Sequence, residues 1–237
     1  MTPTKINCGL IGSRGRLGSL IMAASQRLPH LAIVEMSRDQ TCNISQHVQG
    51  LDCILDVSSA ESTIAVLNQL LQLQKSKEHQ SIPYIVGSTG FSPNELKVIE
   101  NYAMVAPVIL APNFSIGVNI LFDLVARAHA AIKAFDYESV LHEWHHNKKK
   151  DAPSGTAKEI LNQMPQLSQK TQVHSSRAGS IVGTHELQFI SEGDILTLKH
   201  EALDRRIFAL GALKAVEWLT QDHKTAKIYA MQDVLFS

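Results

Sequence analysis

Three glycines in one short turn, Gly12, Gly15 and Gly18, limit the fold of this chain more than any other feature. Residues 6–11 before the turn are short and mostly apolar. Leu17, Leu20, Ile21, Ala24 and Leu28 after it recur at helical spacing until Pro29. Residues 31–36 then read as a second strand. Strand, glycine turn, helix and strand form the first βαβ unit of a dinucleotide-binding fold. Gly12 permits the tight turn, Gly15 admits a pyrophosphate to the backbone, and Gly18 lets the helix pack on the strand. The phosphates would meet unpaired N–H groups at the helix N-terminus. The GxxGxxG spacing is a variant of GxGxxG, and the competing reading is a merely structural glycine turn.

The alternation continues along the chain. Residues 53–57 read as a buried parallel strand, 61–74 as a helix that Ser58 and Ser59 can cap, and 84–87 as a further strand. Ser92-Pro93-Asn94-Glu95 is a capping box with proline at the first helical position. Residues 108–110 give one more strand. Between Asp39 and Gly50 there is little periodicity, so the first half of the fold is short there. Ligands in this architecture bind at the carboxyl ends of parallel strands. That selects the loop at Gly87, Ser88 and Thr89, and Asn113 after the next strand. Asn113 can bond a nicotinamide carboxamide or simply form a turn. Ser37-Arg38-Asp39 closes the second strand. Arg38 can pair with a 2′-phosphate and stack on adenine, or be a solvated surface arginine, and Asp39 leaves NAD use open.

Residues 116–135 read as a long helix leading out of this domain. Residues 137–143 read as a strand, 154–164 as a helix, and 166–180 as a loop. Residues 184–190 and 195–201 alternate as antiparallel strands about a Glu192-Gly193-Asp194 turn. Residues 207–219 are helical, and 227–236 return to the first domain. The expected class is α/β: a Rossmann-type parallel-sheet domain (1–115 and 205–237) plus a second α+β domain (116–204).

The densest chemistry lies between His142 and Asp151, where three histidines, three lysines and two carboxylates meet. Asp151-Ala-Pro-Ser-Gly-Thr156 then turns the chain and starts a helix. The parts suit a small dianion. Lys148, Lys149 and Lys150 offer point charges, although spacing does not choose among them. Ser154, Gly155 and Thr156 open a helix whose positive end favours a carboxylate. His145 and His146 titrate near neutrality and can protonate a developing anion, but adjacent residues of an extended segment face opposite ways. Two neighbouring histidines match metal sites poorly, so no metal is expected. A solvated charge run is the competing reading of the lysines.

Composition narrows the partners. The 237 residues are 44% apolar with zero formal net charge, which argues against a nucleic-acid or membrane-surface binder. The three cysteines form no CxxC pair, and neither a signal-peptide core nor a membrane-length apolar run is evident. A cytoplasmic protein is expected.

Glu143-Trp-His-His-Asn-Lys-Lys-Lys-Asp-Ala-Pro-Ser-Gly-Thr-Ala157 closely resembles the signature of the 4-hydroxy-tetrahydrodipicolinate reductase (dihydrodipicolinate reductase) family. That signature is Glu-x-His-His-x-x-Lys-x-Asp-Ala-Pro-Ser-Gly-Thr-Ala, and every fixed position matches. The likeness extends to the glycine turn, Gly87-Ser-Thr-Gly-Phe91, Asn113-Phe-Ser-Ile-Gly-Val-Asn119, Ile181-Val-Gly-Thr-His-Glu186 and Ala230-Met-Gln-Asp-Val-Leu235. The resemblance implies a substrate-binding and oligomerisation role for the second domain, and a homotetramer. It implies reduction of a dicarboxylate cyclic imine by NADPH or NADH. By position, His145 resembles the general acid and Lys149 the catalytic lysine. His146, Ser154, Gly155 and Thr156 resemble the substrate binders. Gly12, Ser13, Arg14, Gly15, Arg16, Leu17, Arg38, Gly87, Ser88, Thr89, Ala111, Pro112, Asn113 and Phe114 resemble the cofactor contacts.

The chain departs from the family pattern at several points. Ser37 stands where many members place an acid, which favours NADPH, and Pro112 replaces a small residue. The segments after Arg38 and between Pro165 and His185 are short, and the first shortening implies loss of a helix beside the adenosine pocket. Two other readings are a non-catalytic NAD(P)-binding redox sensor and an unrelated Rossmann reductase of another small acid.

Overall fold

Successive residues of the first strands point to opposite sides of one sheet, and both sides are buried. The computed structural model describes residues 5–76, 81–222 and 224–237, apart from the side chains of Arg38, Lys75 and Ser76. The chain divides into two compact units, 1–114 with 208–237, and 115–207.

The first unit contains β1 (Ile6–Ile11), α1 (Arg16–Ser25), β2 (Leu31–Met36), α2 (Arg38–Cys42), β3 (Cys53–Asp56), α3 (Ala60–Ser76), β4 (Tyr84–Val86), α4 (Pro93–Ala103) and β5 (Val108–Leu110). The second contains α5 (Ile116–Ile132), β6 (Glu138–His145), α6 (Gly155–Asn162), α7 (Pro165–Ser168), β7 (Gln172–Arg177), β8 (Gly183–Ile190) and β9 (Ile195–Ala202). Helix α8 (Arg206–Thr220) returns the chain to the first unit, which ends with β10 (Ile228–Tyr229) and α9 (Met231–Phe236).

The first sheet is parallel throughout, in the order β10-β5-β4-β3-β1-β2. Cys8, Leu10, Leu55, Ile85 and Ile109 pack one way, against α1 and α8 residues such as Ile21, Ala212 and Val216. Ile11, Ile54, Tyr84 and Val108 pack the other way, with Leu67 of α3 and Ile99 of α4. Burial on both faces is why these strands read as unbroken apolar runs.

The glycine turn behaves as its spacing suggests, with one refinement. Gly12 has φ +86°, open to glycine at little cost, and a Cβ there would lie 2.9 Å from the Ser58 amide nitrogen. A Cβ on Gly18 would meet the Gly12 carbonyl oxygen at 2.1 Å. Gly18 therefore lets the helix close onto the turn itself, rather than onto the strand.

The second unit has a four-stranded mixed sheet in the order β7-β6-β8-β9, with β7 parallel to β6 and the other pairs antiparallel. Along β6 the residues alternate strictly. Ser139, Leu141, Glu143 and His145 are buried, while Val140, His142 and Trp144 are half-buried. Leu141, Leu187 and Phe189 pack against Val118, Phe122 and Val125 of α5 and Ile160 of α6. On the opposite face the His142 ring stacks on Trp144 and His174, with centroids 5.7 and 4.8 Å apart.

Two expectations need correction. The stretch 166–180 is not a loop, since it contains α7 and β7. Strand β7 has one apolar residue, Val173, and lies at the sheet edge, so no hydrophobic alternation marks it. The segment after Arg38 also keeps a short helix, α2. Its signal was a capping box: the Ser37 hydroxyl accepts from the Gln40 amide, and the Gln40 side chain accepts from the Ser37 amide.

The glycine turn gives a direct test. Gly18→Ala forces a methyl group onto the Gly12 carbonyl, so the turn must open. We expect a loss of about 1–3 kcal/mol, typical of overpacking, read as a lower urea midpoint. An unchanged midpoint would show that the turn has slack.

Candidate active site

In the first unit, the carboxyl ends of β1, β2 and β3 border a cavity of about 690 Å³ lined by Gly12, Ser13, Arg14, Ser37, Asp39 and Ser58, among others. Helix α1 starts at Arg16 with Gly15 as its N-cap and no side-chain cap. Its first amides are thus left to an incoming anion, which fits a dinucleotide pyrophosphate. Arg14 is exposed and lies 3.5 Å from Glu35, while Leu17 packs into the core. The side chain of Arg38 lies outside the described residues. Ser37 caps α2, and the carboxylates near the end of β2 are Glu35, within the strand, and Asp39, both lining the cavity.

A buried carboxylate supports this half. Asp56, at the end of β3, accepts hydrogen bonds from the Ser58 amide (2.9 Å), the Thr63 hydroxyl (2.8 Å) and the Tyr84 hydroxyl (2.7 Å). Thr63 in turn meets the buried Ser88 hydroxyl at 2.7 Å. Burial raises the Asp56 carboxyl above its ordinary value, and the Ser58, Tyr84 and Thr63 bonds oppose that rise. The network ties the Gly87–Thr89 loop to the start of α3. Ala111 and Phe114 are buried after β5, Asn113 is half-buried and Pro112 is exposed.

The second unit gathers the polar cluster around Glu143, which has no exposed surface. One carboxylate oxygen accepts from Arg177 at 2.8 Å and from the Ser154 amide at 3.1 Å. The other lies 3.0 Å from Nδ1 of His145, off the in-line direction of a ring N–H, and 3.8 Å from Nε2 of His185. Burial alone would raise the Glu143 carboxyl. Donors from His145, Ser154, Ser175 and Arg177 outweigh burial and hold it well below the usual carboxylate range.

Around this pair the remaining groups fall into place. The Ser154 hydroxyl caps α6 by accepting from the Ala157 amide, and it meets His185 Nε2 at 3.1 Å. Ser154 is therefore turned inward, while Gly155 and Thr156 begin the helix. His145 and His185 meet edge to face, with centroids 5.1 Å apart. Burial, then the charge of His145, drive the His185 imidazole down to about 3, against the opposing pull of Glu143. Residues 146–149 form a reverse turn closed by the Lys149 amide on the His146 carbonyl (3.1 Å). The Lys149 ammonium pairs with Asp151 at 2.9 Å, and the Asp151 carbonyl accepts from Arg177 at 2.6 Å. Lys148 and Lys150 are exposed, whereas Lys149 is half-buried.

Glu143, His145 and His185 bring three ligand atoms within 4.8 Å of one another. The Arg177 guanidinium already balances that carboxylate, and Ser154 occupies Nε2 of His185. This arrangement satisfies its charge without a cation. Sequence reading assigned no role to Arg177, His185, Glu143 or Asp56. Period-two alternation along β6 would have put Glu143 beside His145, but Arg177 lies in the unrecognised strand β7.

A dinucleotide-type parallel sheet and a separate polar cluster suited to a small acid define a nucleotide-dependent reductase class. The family model for the dihydrodipicolinate reductase N-terminus matches residues 6–114, and that for the C-terminus matches residues 117–235. A 4-hydroxy-tetrahydrodipicolinate reductase of Bdellovibrio bacteriovorus is 32% identical over 98% of this chain and 97% of the relative. One of Thermosipho africanus is 31% identical over 96% of each. The solved structure of dipicolinate-bound dihydrodipicolinate reductase from Paenisporosarcina sp. TG-14 shares the fold, with TM-score 0.77 at 18% identity over 97% of this chain and 99% of that one. The chain belongs to the dihydrodipicolinate reductase family.

The buried histidine makes stability depend on pH. His185 titrates at about 3 in the fold against 6.5 for a free imidazole. Below pH ~6.5 the unfolded chain binds a proton that the folded chain refuses, so stability falls as pH drops toward 3. Between pH 7 and 5 this group should contribute a loss of roughly 2 kcal/mol. Urea denaturation of the wild type should show that loss, and His185→Gln should lack it. Parallel curves would contradict a neutral buried His185.

Proposed function

We propose that this chain reduces the cyclic imine derived from 4-hydroxy-tetrahydrodipicolinate to tetrahydrodipicolinate, using NADPH or NADH. The observation that carries this reading is the meeting of His145 and the start of α6 on one buried carboxylate, with the Lys149–Asp151 pair on the adjoining turn, in a chain of this family. In this reading residues 1–115 with 205–237 hold the nucleotide, and 116–204 hold the substrate. When bound, the nicotinamide supplies hydride to a ring carbon conjugated with the C=N bond. The residues of the chain do the rest. Gly155 and Thr156 bind one substrate carboxylate through the positive end of α6, assisted by His146. Lys149 leaves Asp151 to meet the incoming dianion, and His145 gives a proton to the anion that develops. Gly12 to Leu17 cradle the pyrophosphate. Arg38 takes the 2′-phosphate of NADPH, and Gly87 to Thr89 and Ala111 to Phe114 border the nicotinamide.

Among the described residues no helix is long and apolar enough to cross a membrane. We place the protein in the cytoplasm, acting on a small molecule rather than on nucleic acid or a membrane. The second sheet leaves one face open, with Ile195, 60% exposed, on the same face as the His142 and Trp144 stack. That face supports assembly of the chain as a homotetramer.

The test is a coupled assay in which the synthase generates the imine and oxidation of NADH and NADPH is followed separately. Turnover supports the reading. Nucleotide binding without turnover would replace it with a redox sensor. His145→Gln and Lys149→Ala should each lower kcat by about 10²–10⁴, the range for lost proton-transfer groups, and full turnover in either would remove its assigned role. Arg38→Ala should raise KM for NADPH far more than for NADH, and equal losses would reject the 2′-phosphate contact.

A further inference from the structure

Among the described residues, Glu143 is the carboxylate against His145 that solvent does not reach, and none of the proton, substrate or cofactor roles given above belongs to it. We propose that Glu143 is a positioning residue for the reduction, holding His145 with Nδ1 toward its carboxylate so that Nε2 alone delivers the proton. This rests on the reductase reading given above.

The geometry supports it from both sides of the ring. Nδ1 lies 3.0 Å from Glu143. On the other edge, a Cβ added at Gly183 would come within 3.0 Å of Nε2 and 3.3 Å of Cδ2. The absence of a side chain at position 183 is what lets the ring lie there. His145 is thus held between a carboxylate on β6 and bare backbone on β8, with little freedom to flip. A flip would exchange Nδ1 for the carbon Cδ2 and take the ring nitrogen away from Glu143. A carboxylate on one ring nitrogen fixes the tautomer and stabilises the imidazolium, while the other nitrogen does the chemistry.

The charged surroundings are few enough to name. Glu143 faces His145 from its own strand, Arg177 lies across from it in the β7 register, and His185 faces it from β8. Lys149 and Asp151 form a nearby pair on the following turn. Arg177 is already bound to Glu143 and to the Asp151 carbonyl. Lys149 and Asp151 offset each other. Among the described residues, the effect of removing the Glu143 charge therefore falls first on His145, 3.0 Å away, and then on His185, 3.8 Å away.

The experiment compares wild type with Glu143→Gln, which keeps shape and removes charge, in the imine assay across pH 6–10. Cofactor affinity is followed by nucleotide fluorescence titration. We expect kcat to fall about 10–100-fold, as for lost orienting partners of an active histidine. We expect the nucleotide Kd to stay within twofold. The alkaline fall of kcat should move to lower pH by at least ~1 unit, because an imidazolium without its carboxylate loses its proton more readily. A merely structural role would lower kcat without moving that limb. An unmoved limb in a folded variant overturns the proposal.

Gly183→Ala supplies a second test if Glu143→Gln does not fold. It crowds Nε2 without touching the charge, so kcat should fall with the limb in place. Full turnover in Gly183→Ala overturns the placement of the ring. Wild-type enzyme inactive on the imine defeats the reductase reading itself, an outcome separate from any effect of Glu143.

Discussion

An ionised carboxylate with no exposed surface survives in a fold only if its charge is met by its neighbours. Arg177 and the Ser154 amide bond one oxygen of Glu143, the His145 ring lies 3.0 Å from the other, and each neighbour bears on a different part of the site. The Ser154 amide sets where α6 begins. Arg177 holds the edge strand β7 beside β6 and grips the carbonyl of Asp151, whose side chain holds Lys149. His145 gains its orientation. Removing one partner would leave the others around an unbalanced charge, the costly way to break a buried pair. In the proposed reading, the proton donor, the lysine turn and the helix that receives a carboxylate are thus linked through one residue that needs no contact with substrate.

The nucleotide half follows the same principle on a different strand. Asp56 is buried at the carboxyl end of β3, and its hydrogen bonds run through Thr63 to Ser88 and directly to Ser58 and Tyr84. Loops that must meet a ligand are exposed and irregular by nature. Here they are anchored from beneath by the buried Asp56, Thr63 and Tyr84 side chains. Such preorganisation lets binding and chemistry proceed without reordering the loops each time.

Much of this was legible in the chain, for identifiable reasons. Burial on both faces makes β1, β3, β4 and β5 continuous apolar runs, and Ser92-Pro93-Asn94-Glu95 announces α4 by its own chemistry. Residues 227–236 were also expected to return to the first domain, where β10 pairs with β5. Strand β7 was not legible. Its residues 172–177 are almost all polar, and its place is secured by Arg177 and by pairing with β6, neither of which leaves a local pattern. Helix α2 was overlooked because five residues carry no periodicity, although Ser37 and Gln40 formed its capping box. In the site, the signature stretch showed which residues matter but not which face they share. Only the alternation of β6 places Glu143 and His145 side by side on the buried face and turns His142 and Trp144 to the other.

The claim that Glu143 orients His145 can be read without any substrate. Selective ¹⁵N labelling of histidine, with ring-nitrogen shifts followed by NMR to high pH, reports which nitrogen keeps its proton in the neutral ring. The account predicts that neutral His145 carries its proton on Nδ1, toward Glu143, with Nε2 bare, and that Glu143→Gln relaxes this preference toward the Nε2–H form of free imidazole. A wild-type His145 protonated on Nε2 when neutral would contradict it.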